Sequence, residues 1–299
     1  MRRRLKQLVE HGLVWSGAPR IALASHRAGT LILAYHAIVP EGERAAGDAS
    51  LHLAQSDFAA QLDVLAQRHD VVPLADALAE PAPRSRRPRA AITFDDAYAG
   101  AVRAGVAELE RRGMPATIFV PPGLLGGRPF WWDVLGAGGV LDPGLRRRAL
   151  TEWRGQGDVI LDALGSRGDG SAGPAYARSA TERELERAAA APGITLGSHT
   201  WSHPNLAALD PAARDAELRD SLAWLRARYE GVLPVLTYPY GLQTEAVQRA
   251  AEAAGYEAAL CITGGWVADR RRPFAMPRMD VPAGVSRAGF RLRVSGVVS

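Results

Sequence analysis

The sequence predicts an α/β protein with a parallel sheet and helices outside it. Three observations carry this reading: apolar runs of strand length recur along the chain, helix-length segments separate them, and polar residues of the kind that bind ions or move protons follow several of the runs directly. Strands that alternate with helices favour parallel pairing, and a parallel sheet covered on its faces gives strands that are apolar throughout.

The first strand is TLILAYH, residues 30–36, ending at His36 and followed by a polar loop through Ser50. SDFAAQLDVLAQRHD then opens with Ser56 as a cap and sets Phe58, Leu62 and Leu65 on one helical face. PAPRSRRPR, residues 81–89, is a loop by its prolines and charges, and it delivers the chain into the strand AAITF. After Asp95 and Asp96, residues 98–112 read as a helix ending at Gly113, and ATIFV, 116–120, reads as the next strand. The rhythm resumes with ITLGS at 194–198, a helix over 210–229, VLTY at 235–238, a helix over 243–254, EAALCI at 257–262 and a last short strand, MPRMDV, at 276–281.

Residues 123–190 interrupt this order. GDGSAGPAYARSATEREL is loop and cap material beside a helical segment rich in leucine and arginine at 143–164, so the region reads as an elaboration of the core domain. The division expected is an N-terminal extension over 1–29, one domain over 30–282 with an insertion at about 123–190, and a tail over 283–299 that is irregular or an edge strand.

Composition narrows the class. At 299 residues, with 47% hydrophobic and 23% charged side chains, the chain can fold around a substantial core. Its net charge is +4, with Lys6 the only lysine. No basic stripe is interleaved with aromatics and no helix-turn-helix or zinc-finger spacing occurs, which argues against a nucleic-acid partner. Cys261 is the only cysteine, so neither an intrachain disulfide nor a thiolate metal cluster can form. The basic start resembles a signal peptide, but Glu10, His11, Ser16 and Arg20 interrupt any apolar run, and LILAYHAIV at 31–39 is too short to span a bilayer. The expectation is a cytoplasmic protein whose first residues form a basic amphipathic helix, suited at most to peripheral membrane contact.

The chemistry gathers in three stretches at strand ends: TFDD at 93–96, SHTWSHP at 198–204 and TYPYG at 237–241. In parallel α/β folds such positions collect on one face of the molecule. Two adjacent carboxylates after a buried strand repel each other, and a nearby cation resolves that conflict. His199 and His203 stand four apart, and a carboxylate with two imidazoles is a ligand set for a divalent cation with a water-bearing position left open. HTWSH lacks the glutamate that follows the first histidine in a zincin metalloprotease, which excludes that class.

The ordered set TFDD, HTWSHP and YPYG resembles the polysaccharide deacetylase family of carbohydrate esterases, whose shared unit is the NodB homology domain; the resemblance spans residues 30–122 and 190–282. It implies a distorted, incomplete (β/α) barrel, and an activity that removes N-acetyl groups from amino sugars in a polysaccharide, a lipid-linked saccharide or a smaller glycan precursor. It also implies roles: Asp95 as general base, Asp96, His199 and His203 as ligands of a divalent metal, zinc first with cobalt or nickel as alternatives, and Tyr240 as the residue whose backbone N–H steadies the oxyanion. Pro239 stands beside Tyr240 as a substrate contact.

Two departures from the family pattern matter. The arginine that pairs with the base in the third motif is replaced by Thr237, and Arg278 on the last strand is the candidate to supply that charge. The late Leu-x-x-His motif that supplies the general acid is absent from ALCITGG, which makes His36 the candidate acid or substrate ligand. In FWWDVL, Trp131 and Trp132 offer flat faces to a pyranose ring, with Asp133 placed to bind hydroxyls or orient a catalytic group; packing is the competing reading. His11, His26, His52 and His69 have no companions that suggest ligation, and only His52 lies where it can approach the site. The competing functions are an amide hydrolase for a non-sugar substrate and a degenerate saccharide-binding protein.

Overall fold

Apolar strands end where the polar motifs begin, and the strands pair in an order that brings those ends together. The structure, a computed structural model, describes residues 2–27, 29–79, 86–136, 139–166, 173–267 and 271–298, with side chains from Gln7 onward. Residues 81–85 of the predicted proline-rich loop and 168–172 of the glycine-rich stretch lie outside the described residues.

Strands β1 (Thr30–Tyr35), β2 (Arg89–Phe94), β3 (Ala116–Val120), β4 (Ile194–Ser198), β5 (Val235–Thr237), β6 (Ala258–Cys261) and β7 (Met276–Pro277) are neighbours in that order, every pair parallel. Directly after β7, β8 (Met279–Asp280) pairs in parallel with β1, Leu33 opposite Met279 and Ala34 opposite Asp280. The stretch 276–280 thus hydrogen-bonds to β6 at one end and β1 at the other, and the sheet becomes a nearly closed barrel.

Period-two alternation divides the strand side chains between two sides. Ile32, Ala91, Phe119, Leu260 and Met276 form one cluster inside the ring, plugged by Leu74 and Ala77 of the helix Leu74–Leu78. Leu31, Leu33, Ile92, Phe94 and Ile118 face the surrounding helices, where they meet Phe58, Leu62 and Leu65. The row Ala91, Thr93, Asp95 continues inward past the end of β2, and so does the row Met276, Arg278, Asp280. Both therefore aim a charged side chain into the mouth of the barrel.

Most predicted helices appear, with identifiable caps. Asp210 caps Pro211–Arg228 by accepting from the Ala213 N–H at 3.0 Å, and Thr244 caps Glu245–Ala253. The helix predicted to follow a Ser56 cap begins two residues earlier, at Gln55, with Ala54 at the cap position and no side-chain cap. Two local readings are corrected. The polar loop after His36 contains a short strand, Ala37–Val39, that pairs in parallel with His52–Ala54. The tail is a helix, Arg287–Val294, because Ser286 Oγ accepts from the Gly289 N–H at 2.9 Å and fixes its first turn; Phe290 and Val294, one turn apart, are buried on one side, and Leu292 is buried as well.

Candidate metal centre and cleft

The register of the strands assembles the site. Tyr35 pairs with Phe94, so His36 leaves β1 beside the point where Asp95 leaves β2; Val120 pairs with Ser198, so His199 emerges one position past the end of β4. At these ends the backbone adopts left-handed conformations in residues that have a Cβ. Asp96, Ala97, Thr200, His203 and Tyr240 have φ between 50° and 67°. Each such position costs on the order of 1 kcal/mol relative to ordinary backbone. Of the six non-glycine residues with positive φ among the described residues, five are here, and the surrounding packing holds them there.

Asp96, His199 and His203 present ligand atoms that all lie within 4.8 Å of one another, and all three residues are buried. The Nε2 atoms of the two histidines are 3.1 Å apart, and Asp96 Oδ1 lies 3.4 Å from one and 3.3 Å from the other. Asp96 Oδ1 has no hydrogen-bond partner. A buried carboxylate oxygen without a donor is costly, and two imidazole nitrogens turned toward it do not repay the cost unless a cation lies between them. The donor set of two imidazole nitrogens and one carboxylate oxygen therefore fits a divalent metal of the zinc type.

His199 is held for that purpose. Its Nδ1 lies 2.8 Å from the Thr237 carbonyl and 2.6 Å from Thr237 Oγ1, so Nδ1–H donates to the carbonyl and Nε2 is turned to the cluster. Burial lowers the basicity of His199, but Asp95 and Asp96 outweigh it and raise its pKa. His203 is pushed down to about 3 by burial and by the charge of His199. A metal bound at Nε2 would require His199 to give up any proton there.

Asp95 is paired differently. Arg278, fully buried, donates from both Nη atoms to the two Asp95 oxygens at 2.8 and 2.7 Å, and from Nη1 to Thr93 Oγ1 at 3.1 Å. Burial alone raises the Asp95 pKa; the Arg278 guanidinium, with His199 adding to it, reverses this and holds the carboxyl well below the usual range. Asp95 Oδ2 is 4.0 Å from His199 Nε2, so the ionised base candidate borders the metal cluster without joining it.

These groups line a cleft of ≈ 270 Å³, whose walls include His36, Trp131, Trp132, Tyr240 and Asp280. His36 Nδ1 is 4.0 Å from Asp280 Oδ1. The helix Trp131–Gly136 puts both tryptophans on the wall, yet they are almost fully buried. Trp131 Nε1 donates to Tyr240 Oη at 3.0 Å, while Trp132 stacks on Phe130 and packs against His203 with ring centroids 5.0 Å apart. They form a side wall, not an open platform.

Asp133 is not where a substrate contact would be. It is enclosed behind Trp132, where it accepts from His52 Nε2 at 2.8 Å, the Asp48 N–H at 2.9 Å and Tyr98 Oη at 2.7 Å, and Tyr98 Oη in turn accepts from Trp132 Nε1 at 2.7 Å. Pro239 is buried and does not line the cleft. His69, away from the cleft, is buried with Nε2 2.9 Å from the Val294 carbonyl, and His26 stacks on Trp266. Sequence reasoning missed Asp280 and Arg146 as lining residues. Asp280 follows Arg278 by two, so the strand period could have placed it; Arg146 comes from a helix, Pro143–Thr151, that only tertiary folding brings over the cleft.

The barrel and the cluster at its mouth define an α/β-barrel protein with a candidate metal site in an open cleft. The polysaccharide deacetylase family matches residues 82–259, more than half of the chain, and the chain belongs to that family. YxkH of Bacillus subtilis (strain 168) is 29% identical over 98 residues, which is 33% of this chain and 35% of that protein. Among solved structures, the Streptococcus pyogenes deacetylase PplD in complex with acetate is similar with a TM-score of 0.63 at 17% identity, covering 89% of this chain and 98% of that one. IcaB from Ammonifex degensii is similar with a TM-score of 0.60 at 18% identity, covering 90% and 96%. Among the described residues no helix is long and apolar enough to cross a membrane.

Proposed function

We propose that this chain is a metal-dependent N-deacetylase acting on an N-acetylated amino sugar within a polysaccharide, a lipid-linked saccharide or a glycan precursor. The observation that carries the reading is the buried Asp96–His199–His203 cluster on the cleft wall with the ionised Asp95, clamped by Arg278, directly beside it. A divalent ion held by the three ligands, zinc being the best match to the donor set, supplies carbonyl polarisation and acidifies a water. Asp95 removes the proton of the attacking water. Arg278 keeps Asp95 ionised and fixes both its oxygens, which orients the base at some cost in its basicity.

The Tyr240 backbone N–H, presented by a residue with φ 59°, donates to the oxyanion, a contribution worth roughly a hundredfold or more in rate. His36, across the cleft and near Asp280, delivers a proton to the departing amine. Trp131 and Trp132 bound the side of the space that the sugar ring enters. The place of action we propose is cytoplasmic.

Elemental analysis of chelator-free protein, beside its His199→Ala/His203→Ala variant, tests the metal; acetate release from N-acetylglucosamine oligosaccharides tests the reaction. The expected result is close to one ion per chain in the wild type, loss of it in the variant, and acetate release only from the loaded protein. Wild type that binds no zinc, cobalt or nickel on reloading overturns the mechanism. Loaded protein that leaves acetylated sugars intact and hydrolyses small or cyclic amides replaces the substrate class.

A further inference from the structure

The N-terminal helix, Arg2–Trp15, is turned opposite to a helix packed on a core. The described side chains it directs at the body are Glu10 and Val14, with Glu10 Oε2 accepting from Ser286 Oγ at 2.5 Å at the start of the C-terminal helix. Its outward arc carries Leu8, Val9, Leu13 and Trp15, the last 87% exposed. The following helix, Ala18–Ser25, adds Ile21, 75% exposed. Scattered apolar residues at a surface need no explanation, but five of the nine large exposed hydrophobics among the described residues belong to this one helix pair.

Beside the arc lies a pocket of ≈ 300 Å³ lined by Val14, Trp15, Gly17, Pro19 and three arginines, Arg20, Arg68 and Arg291. Among the described residues no carboxylate lines it, and Arg291 Nε is buried without a hydrogen-bond partner. Burial, then the positive charges of Arg291 and Arg20, hold Arg68 below its usual pKa. Three guanidinium groups gathered without an acid are relieved by an anion, and planar guanidinium forks match phosphate oxygens.

We propose that this helix pair docks the protein on anionic membranes, with Trp15, Leu8 and Ile21 entering the headgroup–acyl boundary and the Arg20–Arg68–Arg291 pocket holding a lipid phosphate. Trp15 belongs to both features: it walls the pocket and stands on the exposed arc. An anionic pocket ligand that continues directly into apolar matter is the description of a phospholipid, not of a soluble anion. The sequence of this segment also holds Arg2, Arg3, Arg4 and Lys6, a net positive charge that an anionic surface attracts.

Co-sedimentation with vesicles tests this on the full chain. Phosphatidylcholine vesicles with and without phosphatidylglycerol are compared for wild type, Arg20→Ala, and the pair Trp15→Ser with Ile21→Ser. All three positions are exposed, so the variants keep the fold, which their melting curves verify. The expected result is binding to the anionic vesicles alone, weakened by salt, reduced roughly fivefold by Arg20→Ala and more by the apolar double variant. Three outcomes overturn the proposal. The first is equal sedimentation with both vesicles, or none. The second is inorganic phosphate binding that Arg20→Ala abolishes while vesicle binding is absent, which would mark a soluble-anion site. The third is lipid-free self-association that the apolar variant abolishes, which would give the face to a second copy of the chain.

Discussion

Replacing Arg278 by alanine removes both side-chain hydrogen bonds of a carboxylate that has almost no access to water. Asp95 is 1% exposed and Arg278 0%, and the two are joined by bidentate bonds of 2.8 and 2.7 Å. Deleting one member of such a buried pair costs about 3–5 kcal/mol, because the remaining charge is neither hydrated nor compensated. For a chain of this size that lowers the melting temperature by on the order of 10 °C.

The pH dependence carries the sign. In the wild type the folded pKa of Asp95 lies below its unfolded value, so its contribution to stability is complete above about pH 4 and is lost as pH falls through the folded value. Without Arg278, burial pushes the carboxyl up, against only His199 and His36, and the same group then destabilises the fold at neutral pH. Thermal melts from pH 4 to 8 would show the Arg278→Ala deficit shrinking toward acid, and the acid limb of the acetate-release profile would move to higher pH. A variant that melts within about 0.5 kcal/mol of wild type, with an unmoved profile, refutes the clamp as argued.

Three other outcomes follow from the geometry. Tyr240→Phe removes hydroxyl bonds to Trp131 Nε1 and the Gly155 carbonyl but leaves the backbone N–H, so stability should fall by about 1 kcal/mol while kcat stays within a few-fold; a loss of a hundredfold would transfer the role to the phenol. Asp133→Ala strands His52 Nε2, the Asp48 N–H and Tyr98 Oη in the interior, and urea titration should register a loss of about 3 kcal/mol, with near-neutrality contradicting the network. Burial holds His69 down to about 4 from its ordinary 6.5, so its neutral form contributes stability that is complete above pH 6.5 and is lost as pH falls toward 4, by up to about 3 kcal/mol. The stability difference between wild type and His69→Phe should therefore change over that window; a constant difference would remove the histidine from the account.

Local chemistry made much of this protein legible from residues alone. Apolar runs such as ITFDD and TLILAYH revealed strands buried on both faces, and the polar groups directly after them revealed the active end, because parallel strands have no other place to put such groups. His199 and His203 with a carboxylate nearby were readable as a candidate ligand set, and the resemblance to the deacetylase family assigned Asp96 as the third ligand. Arg278 was within reach only because the resemblance made Thr237 a departure and left Asp95 without the arginine that the family pairs with it.

Other features depended on distances that no local pattern encodes. FRLRV alternates like a strand, yet Ser286 caps it into a helix that packs on the N-terminal one through Glu10. Asp133 looked like a sugar ligand because it follows two tryptophans, but folding encloses it with His52, 81 positions away in the chain. The left-handed backbone at Asp96, Thr200, His203 and Tyr240 leaves no trace in composition, since none of these is glycine and the packing of the barrel mouth holds them there. The sequence by itself determined which chemical groups are present and that they gather at strand ends. Tertiary structure alone decided which of them touch, because contact between Asp95 and Arg278, 183 positions apart, exists only when the 276–280 stretch closes the barrel against β1.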